Sequence, residues 1–268
     1  MPRRRRNEPF MHGETLCGVA INIIDAFNFP RPIDDVRRLR AGDSGLSLRL
    51  LQHQIFAVSI FLGPLAILVA AFTNPPYYGS SPGIATAIAT NAADSDVMDQ
   101  THLVAQLIAA YLLPFTFLGM AWLANRRAPL LASVGAFIAL LGFLPLALYV
   151  GQDSLYYDIG RSGSNPQLAA FAQRWNTDGI MSFYGIVFGL GTVLGPTMIG
   201  IALLRTRAIP AWAAVCLISS RLPAFLFLVV PYGVAVDVVL AGVVLLFIGS
   251  IPAALAVLRS APTTQQQT

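Results

Sequence analysis

The sequence predicts an all-α membrane fold: a polytopic bundle of six transmembrane helices, N and C termini cytoplasmic, with an amphipathic helix ahead of it. Three observations predict it. Six long apolar stretches recur along 268 residues. The composition is 56% hydrophobic and only 11% charged, where a soluble domain carries about 25% charged residues. The loops between the stretches alternate between Arg-bearing and Arg-poor, the asymmetry that sets membrane orientation. The chain thus divides into a cytoplasmic segment 1–50, a transmembrane domain 51–258, and a cytoplasmic tail 259–268.

The chain begins with Arg3-Arg4-Arg5-Arg6, a charge run typical of a disordered start. Leu16, Val19, Ala20, Ile23, Ile24 and Phe27 then recur at helical spacing. The segment is too short to span, and Asn22, Asp25 and Asn28 interrupt it, so it reads as a helix lying on the inner leaflet. A signal peptide is the rival, but it needs an unbroken apolar run and a small-residue cleavage site. A short second helix is expected over 32–39, with Pro32 at its first position and Asp34 and Asp35 in its first turn. Arg37, Arg38 and Arg40 follow, facing anionic headgroups at about 1 kcal/mol each. A partner-binding arm is the other use of these arginines.

A crossing helix needs about 20 mostly apolar residues to cover about 30 Å of hydrocarbon. The predicted spans are 55–72, 102–124, 130–150, 179–204, 211–230 and 234–258. The same stretches in a soluble bundle would carry charged faces. The linkers Asn125-Arg126-Arg127-Ala128-Pro129 and Arg205-Thr206-Arg207-Ala208-Ile209-Pro210 are basic, as are the flanks at Arg49 and Arg259. The opposite side holds 73–101 and 231–233 without Lys or Arg, and 151–178, where Arg161 and Arg174 are offset by Asp153, Asp158 and Asp178. Trp122 and Trp212 fall at the inner boundary and Tyr77, Tyr78, Tyr149, Tyr156, Tyr157 and Tyr232 at the outer one, where amphipathic rings settle. The net charge of +4 therefore reflects topology and gives no reason to expect nucleic acid as a partner. Lys is absent, a mark of GC-rich coding more than of chemistry. Cys17 and Cys216 lie on the cytoplasmic side or in the membrane near it, where a disulfide is not expected, and two thiols alone build no zinc site.

Inside the bundle, each span holds a proline: Pro64, Pro114, Pro145, Pro196, Pro223 and Pro252. Kinked helices suit close packing or the walls of a cavity. The fourth span carries Gly185, Gly189, Gly191 and Gly195, two small-xxx-small pairs that permit close helix approach. This places it at the bundle centre, or at the seam of a homodimer. Gly119, Ala121, Leu123, Arg126, Pro129, Ala132 and Val134 match Gly200, Ala202, Leu204, Arg207, Pro210, Ala213 and Val215 at one constant offset (119 to 200), by duplication or by shared turn chemistry.

Arg221, mid-span, is the sharpest polar feature. A central Arg costs about 2.5–3.5 kcal/mol on insertion scales and therefore faces a partner or water. Asp237 is the only acidic residue in any predicted span, roughly 9–10 Å away in depth at 1.5 Å per residue. The alternatives are an Arg221–Asp237 pair, an anionic ligand or lipid headgroup, or backbone carbonyls and water. Cys216, Ser219 and Ser220 make a small polar stripe beside Arg221, and His102 and Gln106 make another entering from the outer surface. His102 reads as a proton-linked contact or as a solvated interfacial residue. His53 sits at the opposite face. Asp94, Asp96 and Asp99 read as a solvated loop. Facing histidine pairs for haem, a His/Asp cluster for metal hydrolysis, a Gly-rich phosphate loop and HExxH are all missing, so no cofactor, metal or catalytic residue is expected.

The run Gly200-Ile201-Ala202-Leu203-Leu204-Arg205-Thr206-Arg207-Ala208-Ile209-Pro210-Ala211-Trp212 resembles the inner turn of bacterial six-helix integral membrane proteins of unknown activity, over residues 50–258. The resemblance implies a fold and carries over no site. The reading is a non-catalytic membrane protein that binds or moves a small amphiphile or lipid, or assists a partner membrane protein. The alternative is a membrane-embedded enzyme acting on lipid.

Overall fold

The computed structural model describes residues 44–73, 88, 96–163, 165–222 and 232–260, with side chains from Leu50 onward except at Asp96 and 232–237. The chain divides into two units, Met1–Leu46 and Ser47–Thr268, and the long apolar helices belong to the second. The amphipathic helix, the short helix 32–39, Cys17, Pro223 and most of 73–101 lie outside the described residues.

Among the described residues all regular structure is helical. The helices are α1 (Ser44–Phe72), α2 (Asp96–Ala124), α3 (Pro129–Phe143), α4 (Leu146–Arg161), α5 (Pro166–Thr177), α6 (Gly179–Thr206), α7 (Ala211–Ser219) and α8 (Tyr232–Arg259). Five stretches are long and apolar enough to cross a membrane: Leu50–Phe72, Val97–Ala124, Pro129–Arg161, Gly179–Thr206 and Val238–Arg259. Their outward residues are apolar too. Val104, Ile108, Tyr111 and Phe115 are exposed along α2, and Leu130, Val134, Phe137 and Leu141 along α3. A contiguous greasy exterior of this kind marks helices that face lipid.

The expected fifth span is described only in its first half. α7 has 9 residues, about 13 Å at 1.5 Å per residue, and the chain turns at Ser220 and Arg221. Five crossing helices are therefore described where six were expected.

Residues 151–178, expected as an outer loop, are instead mostly helical. α4 continues to Arg161, and α5 follows with Pro166 in its first turn and the Asn165 carboxamide oxygen accepting from Gln167 N at 2.9 Å. The cause is amphipathic: Tyr156 and Ile159 bury one face against Ala172 and Ile88. The charges Asp158 and Arg161 occupy the other face, and they gave the sequence its loop-like look. Pro145 separates α3 from α4, and its carbonyl accepts from Leu148 N and Tyr149 N to restart the helix. Pro64, Pro114, Pro196 and Pro252 lie inside unbroken helices.

α1 and α2 run antiparallel in close contact. The Thr116 hydroxyl donates to the Ser59 carbonyl, Gly63 lies against Thr116, and Gly119 against Phe56 and Ile60. α6 is central, packing on α2, α3, α5 and α7. Its seam with α3 is backbone on backbone: a Cβ on Gly142 would overlap Gly191, and one on Gly195 would overlap Ala139. Gly191 and Gly195 are thus spent within the chain. Gly185 lies loosely near the Tyr149 hydroxyl, and Gly189 has open space beside it, so only half of the predicted glycine stripe packs. The two basic turns meet, the Arg127 guanidinium donating to the Thr206 carbonyl at 3.3 Å. Both turns are short, but Arg207 closes α6 in the left-handed region (φ 53), whereas no positive φ occurs at its repeat counterpart Arg126.

Candidate functional site

Two polar positions sit inside this apolar bundle, and both can be built from helix register. At one end of the bundle, α1 finishes where α2 begins. His102, on the second turn of α2, uses Nδ1 to reach the Ala70 carbonyl near the end of α1, at 2.8 Å. Its Nε2 faces Asp153 Oδ2 of α4 at 3.7 Å, and both side chains are under a tenth exposed. Asp153 shares the inner face of α4 with Leu146, Val150 and Tyr157. Asp99, one turn outward from His102, is also buried. Gln106, one turn inward, keeps a buried Oε1 with no hydrogen-bond partner among the described residues, as does the Tyr157 hydroxyl. The Arg161 guanidinium lies 4.4 Å over the Tyr157 ring. Gln152 ties α4 to α5 through its side-chain N–H groups, to the Tyr156 hydroxyl at 2.7 Å and to Asn176 Oδ1 at 2.9 Å.

This arrangement corrects two expectations. His102 is a buried joint between three helices, not a solvated interfacial residue. Asp99 belongs to α2, not to a solvated loop. It was misread because α2 starts at Asp96, earlier than its apolar run, with its acids beside the positive helix N-terminus. Asp153, expected only as a charge of the loop 151–178, is instead part of this joint. The signal that could have found it is the 3.6-residue burial period over 146–160, with an acid on the apolar face.

The second position is Arg221. Its guanidinium carbon lies 5.4 Å from the centre of the Phe143 ring. Phe143 stacks on Phe117 at 5.0 Å and meets Phe188 edge-on at 6.4 Å; Phe188 in turn meets Tyr149 at 5.2 Å. Arg221 Nε and Nη2 are buried and have no hydrogen-bond partner among the described residues. The neighbouring stripe does not serve it. The Ser220 hydroxyl donates to its own helix at Leu217 O, 2.7 Å away. Ser219 and Cys216 are half-buried, and no bond from either to Arg221 is seen. The Asp237 side chain lies outside the described residues, so the Arg221–Asp237 pair does too. Thr197 adds one more buried hydroxyl without a partner among the described residues.

His53 lies at the far end of α1, buried and edge-on to Trp122 at 4.9 Å, as its predicted separation from His102 requires. Between α1 and α2, an apolar groove of about 550 Å³ opens sideways, lined by Leu62, Ala66 and Val69 on one wall and Val97, Val104 and Ile108 on the other. Gln100 and Thr101 form its polar end, beside His102. Among the described residues no three His, Cys, Asp or Glu side chains converge as a metal site would require. No protein-family model, no curated protein and no solved structure matches the chain.

Proposed function

We propose that this integral membrane protein binds or moves a small anionic amphiphile or lipid, with Arg221 as the anchor for its charged group. In this reading six helices cross the plasma membrane, and both termini are cytoplasmic. The exposed arginines Arg126, Arg205 and Arg207 then meet anionic headgroups on the inner leaflet.

One observation carries the proposal: the buried Nε and Nη2 of Arg221, unpartnered among the described residues over an aromatic face. A guanidinium keeps its charge in a protein. A buried charge without a counter-charge costs several kcal/mol, so a chain that keeps one gains from supplying the anion from outside. The planar N–H fork matches a carboxylate or phosphate in bidentate fashion. Phe143, packed against Phe117 and Phe188, backs the guanidinium with an aromatic face. The binding role is favoured over catalysis because the surroundings offer one cation and, among the described residues, no acid–base pair next to it.

The test is thermal unfolding of the purified protein in neutral detergent, with added short-chain phosphatidic acid or its phosphocholine counterpart. Binding to the folded state raises Tm with ligand concentration. The phosphatidic acid should raise Tm in the wild type and lose that effect in Arg221→Gln, while the phosphocholine lipid does little in either. An equal rise in wild type and variant would rule out Arg221 as the anchor.

A further inference from the structure

We propose that His102 and Asp153 form a proton-binding site that latches α4 to α2 at the outer end of the bundle. The Ala70 carbonyl fixes the tautomer. A carbonyl can only accept, so at 2.8 Å it requires a hydrogen on His102 Nδ1 whatever the charge of the ring. In a neutral imidazole that leaves Nε2 as a bare lone pair. Nε2 has no hydrogen-bond partner among the described residues, and it faces Asp153 Oδ2 at 3.7 Å. Two acceptors then face each other in a site from which water is nearly excluded, and no hydrogen bond joins them.

One proton resolves the conflict. It sits on Nε2, giving an imidazolium beside a carboxylate, or on Asp153, giving a carboxylic acid that donates to Nε2. Either way the pair goes from a net charge of −1 to zero on uptake, and a single N–H···O or O–H···N bond forms. The 3.7 Å separation exceeds the 2.7–3.2 Å of a formed hydrogen bond. Closing that gap is what proton uptake drives, and reopening it is what proton loss drives. Nδ1 holds α1 in both states, so the moving joint is between α2 and α4.

The titratable and charged groups on the surrounding elements are few. α2 itself offers Asp99. α4 offers Tyr149, Tyr156 and Tyr157 and, farther out, Asp158 and Arg161. The outer half of α1 and all of α3 offer none. α5 offers Arg174, and on α6 and α8 the outer-half groups are Tyr184, Tyr232 and Asp237, the last two with their side chains outside the described residues. Asp99 is the one other acid on the helix face that carries His102, and it adds negative charge to the unloaded state. The latch is independent of what Arg221 binds.

The first test needs no substitution. Ring-¹⁵N histidine spectra of the wild-type protein in lipid nanodiscs should show a buried imidazole whose Nδ1 stays protonated across the whole pH range while Nε2 gains and loses its proton. The second uses spin labels at Val97→Cys on α2 and Gly151→Cys on α4, with Cys17 and Cys216 replaced by Ser. The label separation should lengthen as pH rises. In Asp153→Asn it should be the same at both ends of the range, because the carboxamide donates to a bare Nε2 through its N–H and accepts from Nε2–H through its oxygen. An Nε2–H ring with a bare Nδ1, or a pH-dependent separation that persists in Asp153→Asn, overturns the proposal. If Asp153→Asn does not fold, the wild-type ring spectra decide alone.

Discussion

At the scale of the residue, Arg221 draws its meaning from where it stands. A guanidinium over a ring face gains about 0.5–2 kcal/mol, more as it is desolvated, which offsets only part of its burial. In the proposed function a bound anion supplies the remainder. Phe143→Leu keeps apolar volume beneath Arg221 and removes the ring face. It should weaken binding of an anionic amphiphile by about 2- to 30-fold, the ratio that corresponds to that energy; an unchanged Kd in a titration would show that the ring contributes nothing. Thr116→Val deletes the hydroxyl that joins α2 to the Ser59 carbonyl of α1. Hydrogen bonds between membrane helices average about 0.6 kcal/mol, so a loss of that order in unfolding free energy is expected. Arg221 and His102 were legible in the sequence because a charge or an imidazole in an apolar stretch stands out. Asp153 was not, because its partner lies on another helix (102 to 153) and no local pattern reports a contact across the bundle.

At the scale of the element, the seam of α3 with α6 does the most to set the architecture. Glycine at 142, 191 and 195 brings the two backbones into contact, and in lipid such packing replaces the hydrophobic drive that water supplies elsewhere. Gly142→Ala should therefore cost about 1–3 kcal/mol, the range for overpacking a tight core. Gly189→Ala, beside open space, should be neutral or slightly stabilising through helix propensity. Equal Tm values for the two variants in a thermal melt would contradict the seam. The five crossing stretches were legible from apolar length alone. The second half of α4 and the whole of α5 were not, because their periodicity is diluted by Asp158, Arg161 and Arg174 and reads as a charged loop. The glycine stripe was legible as a packing surface, but which pair packs depends on where α3 places Ala139 and Gly142, and spacing within α6 alone cannot say.

At the scale of the whole molecule, an apolar bundle carries its polar groups towards its two ends. The basic linkers 125–129 and 205–210 meet at one end through Arg127 and Thr206, and His102, Ala70 and Asp153 gather at the other. Single cysteines at Arg126 and at Gly163, in a background without Cys17 and Cys216, should be modified by an impermeant thiol reagent from opposite faces of sealed vesicles. Modification from the same face would contradict the proposed topology. The measurement that bears most directly on anion binding at Arg221 is native mass spectrometry of the protein released from its own membrane in mild detergent. A discrete anionic amphiphile or lipid should be bound to the wild type and absent from Arg221→Leu. A bare wild-type chain, or a ligand retained unchanged by that variant, would contradict the assignment of Arg221 as its anchor.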